Sequence, residues 1–145
     1  MSPWGTISAP LRLLLRCPMF KKLVFKAKAY NLLDIPKRGI AKQSHFSFIL
    51  RKNTLLCVGW NDTWKTSPMA KKYGYRFNCT HAELDAIRNF PYPPRLLRAC
   101  KMVNIRILKD GSIGLAKPCK RCIRLLKDFG LKEVWYSSAT AFQKL

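Results

Sequence analysis

Two short stretches limit what this chain can fold into: "HAE" at residues 81–83 and "PCKRC" at residues 118–122. Cys119 and Cys122 stand three apart at the head of a predicted helix, with Pro118 expected at the first helical position, where a missing amide hydrogen does no harm. That spacing puts both sulfurs on one face. The helix amino end and the flanking Lys117, Lys120 and Arg121 favour thiolate over thiol, and thiolate is the form that binds zinc. A lone C-x-x-C serves redox chemistry as readily as metal binding. His81 supplies a third donor, and one His with two Cys holds a tetrahedral zinc while leaving the fourth position to water, the arrangement of a catalytic rather than a closed structural site. These residues can share one metal only if the fold brings the two stretches together.

Glu83 has two readings. Thr80 and Glu83 match a capping box, T-x-x-E, in which each side chain bonds the other's backbone amide and His81 is incidental. In the other, Glu83 lies near the metal without ligating it and completes a catalytic set.

Composition fixes the scale. A chain of 145 residues that is 48% apolar, with eight Phe, five Tyr and four Trp, can bury one core of ordinary size, so one catalytic domain fits and two do not. The 28 Lys and Arg against 7 Asp and Glu give a formal charge of +21, a field that attracts polyanions and anionic small molecules, so a phosphate-bearing partner is expected. Because the basic residues are spread along the whole chain, a solvated basic surface without a specific ligand fits the same count. Six cysteines occur, at 17, 57, 79, 100, 119 and 122. No convincing secretory signal accompanies them: the apolar run "LRLLLRCPMF" is broken by Arg12 and Arg16, too short and too charged for a bilayer span. The compartment therefore reads as reducing and cytoplasmic, with no membrane partner, and short-spaced cysteines there bind metal or act in catalysis more often than they bridge. Residues 1–33 carry six Lys or Arg and no acid, a bias shared with mitochondrial presequences, which leaves mitochondrial targeting as an alternative.

Along the chain, residues 1–18, with Pro3, Pro10 and Pro18, read as a basic extension, and Met19 as a plausible start of a compact domain spanning 19–145. From Phe20 to about Leu33, the apolar positions Leu23, Val24, Ala27, Tyr30 and Leu33 recur at helical spacing. "HFSFILRKNTLLCVGWN" reads as a hairpin turning at "RKN". "DTWKTSPMAKKYGYRFNCT" reads as a long polar, basic loop, a kind that is usually functional; it leads into a helix stopped by "PYPP" at 91–94. A third strand with a "KDGS" turn, a helix over "CKRCIRLLKDFG" closed by Gly130, and a strand in "LKEVWYSS" complete the order.

The pair H-x-E and P-C-x-x-C, with "GWN" at 59–61 before them, resembles the cytidine and deoxycytidylate deaminase superfamily, in the branch that also holds tRNA adenosine deaminases, over about residues 20–138. The resemblance implies an α/β, three-layer cytidine-deaminase-like fold, a mixed sheet of about five strands covered by helices, with the site at the adjoining amino ends of two helices. It implies one zinc per chain on His81, Cys119 and Cys122, and Glu83 as the proton shuttle while hydroxide attacks C4 of cytosine and ammonia leaves. The capping reading is then dropped for Glu83, with Thr80 kept as a candidate N-cap. Asn61 is implied to hydrogen-bond the sugar and the Ala82 amide to hold the base, although Asn61 also reads as a residue ending a strand. Trp64, Lys65, Thr66, Lys71, Lys72 and Arg76 offer cations for phosphate and aromatics for stacking, while Trp64 and Tyr73 could equally pack the core. The expected substrate is a (deoxy)cytidine nucleotide such as dCMP; the alternative, which the +21 charge suggests, is cytosine or adenine in single-stranded DNA or RNA, including tRNA. Many relatives form homo-oligomers. Cys57 and Cys100 read as buried small hydrophobes, and His45 as a core or surface residue rather than a ligand.

Overall fold

A computed structural model describes residues 9–10, 18–33, 44–61, 68–75 and 81–145. Its elements run β1 (Ala9–Pro10), α1 (Pro18–Leu32), β2 (Ser44–Arg51), β3 (Thr54–Trp60), α2 (Pro68–Lys72), α3 (Ala82–Asn89), a 3-10 helix (Pro94–Ala99), β4 (Lys101–Ile107), β5 (Ile113–Gly114), α4 (Lys120–Asp128), β6 (Glu133–Ser137) and β7 (Ala141–Lys144). The strands form one mixed sheet in the order β1-β7-β6-β4-β2-β3, with β5 paired to β4. Five strands have four or more residues, and β1 and β5 have two each, which matches the expected sheet of about five.

Strand alternation decides which helix covers which face. Phe46, Phe48 and Leu50 of β2 and Val103, Ile105 and Ile107 of β4 pack with Trp135 and Phe142 against Phe20, Leu23, Val24 and Ala27 of α1. Ile49, Met102 and Val134, on the opposite face, meet Leu84 and Ile87 of α3, Leu97 of the 3-10 helix, and Leu125 and Leu126 of α4. The result is three layers, helix on sheet on helices. Helix α1 ends one residue before its expected apolar stripe does: Leu33 is 70% exposed and takes no part in the core.

The hairpin turns at Lys52 and Asn53 as expected, with Lys52 at φ 55. Between β4 and β6 the chain runs through β5 and α4, and the two strands pair in parallel, so this connection is a crossover. Helix α4 closes on Gly130 at φ +79, where the Gly130 amide donates to Lys127 O and the Leu131 amide to Leu126 O, the paired bonds of a Schellman ending.

Several boundaries differ from the sequence reading. The long loop before α3 contains a helix, α2, and Tyr73 and Tyr75 just after it are buried. Helix α4 begins at Lys120 with Cys119 as its N-cap, so Pro118 precedes the helix instead of opening it; an extended Cys119 (ψ 170) places the break there. Helix α3 likewise takes His81 as its N-cap, at ψ 155. Glu83 is therefore the second helical residue, one short of the capping-box position, and no side chain caps this helix. Thr80 lies outside the described residues, as do the first eight residues of the expected extension.

Candidate metal and catalytic site

The chain reaches the two cysteines of the site from beside the end of β6, an interior strand of the sheet. Ala116, three residues before Cys119, donates its amide to Ser137 O at the end of β6 (2.8 Å), which fixes the approach to α4. On the other side, α3 is docked tightly on β3. A Cβ placed on Gly59 would come within 2.1 Å of the Ala86 backbone nitrogen, so only glycine permits this approach. The Trp60 amide donates to the Asp85 carboxylate (3.0 Å) and Asn89 Nδ2 donates to Val58 O (3.1 Å), so α3 is also bonded to the strand along its length. These contacts set the helix start that carries His81 against the helix start that carries the two cysteines.

His81 Nδ1 lies 3.7 Å from the Cys119 sulfur and 3.5 Å from the Cys122 sulfur, and the three donors lie within 4.8 Å of one another. Zinc bonds of about 2.3 Å to sulfur and 2.0 Å to nitrogen, at a tetrahedral angle, require N···S separations of about 3.5 Å. The donor set therefore fits that ion in both chemistry and spacing. Cys119 is exposed and Cys122 buried. The hydrogen bond from Cys122 draws the Cys119 thiol down to about 5 although burial opposes it, while the same contact and burial push Cys122 up. Cys119 is thus a thiolate at neutral pH, the form a soft cation needs.

Glu83 is buried beside this group, 7% exposed. Burial holds its carboxyl above the usual carboxylate range, against the opposing pull of backbone hydrogen bonding and His81. Asn61 follows β3 directly. Its Oδ1 accepts from the His45 amide (3.0 Å) and its own amide donates to His45 O (3.3 Å), so it does end the strand. Ala82 opens α3 and is buried. Lys71 and Lys72 are exposed on α2, with the Lys72 ammonium 5.7 Å from the Tyr73 ring centre. Trp64, Lys65, Thr66 and Arg76, and also Cys79, lie outside the described residues.

Two residues near the site were not singled out from the sequence. Asp85 is buried and holds the end of β3; an acid mid-helix in a chain with only 7 acids was the available signal. Tyr75 places its hydroxyl 2.8 Å from the Cys122 sulfur. His45 is no member of the donor group, as expected, but burial, Arg106 and His81 drive its imidazole down to about 4, so it is neutral. Cys100 is buried as expected, whereas Cys57 is only half-buried, with its thiol pushed up to about 12 by burial. Among the described residues, no helix is long and apolar enough to cross a membrane.

No protein-family model matches the chain, and no curated protein matches its sequence. Solved structures do match. A dCMP deaminase from the cyanophage S-TIM5, in complex with dCMP and dUMP, superposes with a TM-score of 0.54 at 14% identity, over 83% of this chain and 81% of that one. A cytidine deaminase from Mycobacterium leprae gives a TM-score of 0.54 at 16% identity, over 86% of this chain and 92% of that one. The chain has the cytidine-deaminase-like fold, and it carries a His/Cys/Cys group able to hold a metal at the meeting point of two helix starts.

Proposed function

We propose that the protein is a zinc-dependent hydrolytic deaminase that converts cytosine to uracil in a free (deoxy)cytidine nucleotide such as dCMP. The observation that carries this reading is the convergence of His81, Cys119 and Cys122 with a buried glutamate two residues from the histidine. The fold, shared with a dCMP deaminase and a cytidine deaminase, supports it. Zinc held by the three donors supplies a water whose pKa is brought toward neutrality. Glu83 takes a proton from the attacking water and delivers it to ring N3, then takes the remaining proton from the oxygen added at C4 and passes it to the amine, which leaves as ammonia while the C4 carbonyl forms. A carboxyl raised by burial suits both halves of that task, because it holds a proton more readily than an ordinary carboxylate does. The Ala82 amide, at the head of α3, orients the base. Asn61, pinned to His45, meets the sugar. Lys71 and Lys72 on α2, with Lys65, Thr66 and Arg76, take the phosphate, and Trp64 stacks on the base.

A second reading, action on cytosine or adenine in single-stranded DNA or RNA, including tRNA, draws support from Lys120, Arg121 and Arg124, which extend an exposed cationic row along α4 from Cys119. Incubation of the zinc-loaded protein with dCMP, CMP, cytidine and a cytosine-bearing single strand separates the two. Rapid formation of dUMP with the strand unchanged is expected. Deaminated bases appearing only in strands would transfer the assignment to the second reading.

A further inference from the structure

One side chain outside the expected set touches two of the three donors. The Tyr75 hydroxyl lies 2.8 Å from the Cys122 sulfur, and its ring meets the His81 imidazole edge-on with centroids 4.7 Å apart. Tyr75 is 7% exposed, so little water competes for that hydroxyl. A sulfur that holds a divalent cation carries no proton, so in the loaded site the hydroxyl is the donor.

We infer that Tyr75 is a positioning residue of the metal centre: its hydroxyl donates to the Cys122 sulfur while its ring edge fixes the plane of His81. The inference rests on the zinc reading above and adds a residue to it. A hydrogen bond to a ligating sulfur holds one rotamer of Cys122 and withdraws electron density from the metal–sulfur bond, and partners of this kind set both affinity and electronic character. The contact also ties the segment bearing Lys71 and Lys72 to the metal. That segment has other anchors, since the Tyr73 hydroxyl donates to Asp128 (2.8 Å) and the Tyr75 amide to Ala70 O (3.0 Å). Tyr75→Phe therefore removes the bond to sulfur while the ring and the local fold remain.

Cobalt(II) is the probe, because its thiolate complexes show a sulfur-to-metal charge-transfer band. The metal-free wild type should take up one cobalt per chain and develop that band. Tyr75→Phe should bind cobalt and zinc about tenfold more weakly, with the band displaced in energy, while the metal-free proteins unfold at the same temperature. Equal affinity and an identical spectrum in the two proteins would overturn the role of Tyr75. A wild type that binds neither metal would instead overturn the metal reading on which the inference stands.

Discussion

Cys119 is the ligand whose loss separates metal binding from packing, since its side chain is exposed and fills no core space. Cys119→Ala should fold, yet gain nothing from zinc. Wild type should gain about 2.7 kcal/mol at zinc a hundredfold above Kd, read as a rise in melting temperature that the variant lacks. His45 makes a separate contribution. Its imidazole falls from an ordinary 6.5 to about 4 in the folded protein. The unfolded chain therefore binds more protons between those values, so stability is present above about 6.5 and is lost as pH falls toward 4. Metal-free wild type should lose about 2 kcal/mol from this group between pH 7 and pH 5, and His45→Gln should lose that much less in urea titrations at the two pH values. At this scale, the grouping of His81, Cys119 and Cys122 was legible in the sequence, because a group able to hold a metal demands particular donor atoms in recognisable motifs. Asp85 and Tyr75 were not, because they act on groups 25 and 47 residues away, and no local pattern records such a pairing.

Among elements, the contact between α3 and β3 has the least tolerance. Gly59→Ala would drive a methyl into the Ala86 nitrogen and the Ala82 carbonyl, at 2.1 and 2.5 Å, so the helix must lift from the strand. The expected cost is about 3 kcal/mol or more, and His81 moves with the helix, so chemical denaturation and zinc affinity should fall together. Loss of stability at unchanged zinc affinity would show that α3 does not set the histidine. Helix α1, the hairpin, α3, α4 and the strands β4 and β6 were readable because each buries a periodic apolar stripe or ends on a Gly or Pro signal. Helix α2, the 3-10 helix, β5 and β7 were hidden by their brevity. The five residues of α2 have one buried side chain, Ala70, and their place depends on Tyr73 and Tyr75 beyond the helix end.

For the whole molecule, the +21 charge and the nucleotide reading make distinct demands. Single-strand binding releases counterions, with a log–log salt slope of about 0.7 for each phosphate neutralised. A site for one nucleotide should show only a shallow slope. Reversing Lys71 and Lys72 to glutamate should raise KM for dCMP about tenfold or more, because charge-assisted contacts of this type contribute roughly 1.5–3 kcal/mol, with kcat less affected. A salt slope of several units on strands, reduced by the same reversals, would assign the basic surface to a polynucleotide. The proposal that zinc on His81, Cys119 and Cys122 acts with Glu83 to deaminate cytosine is tested by dUMP and ammonia formation from dCMP by zinc-loaded wild type and Glu83→Gln side by side. Wild type should release one ammonia per dUMP, and Glu83→Gln, carrying the same single zinc, should be slower by about a hundredfold or more; equal rates in the two proteins, or no dUMP from folded, zinc-loaded wild type, would contradict it.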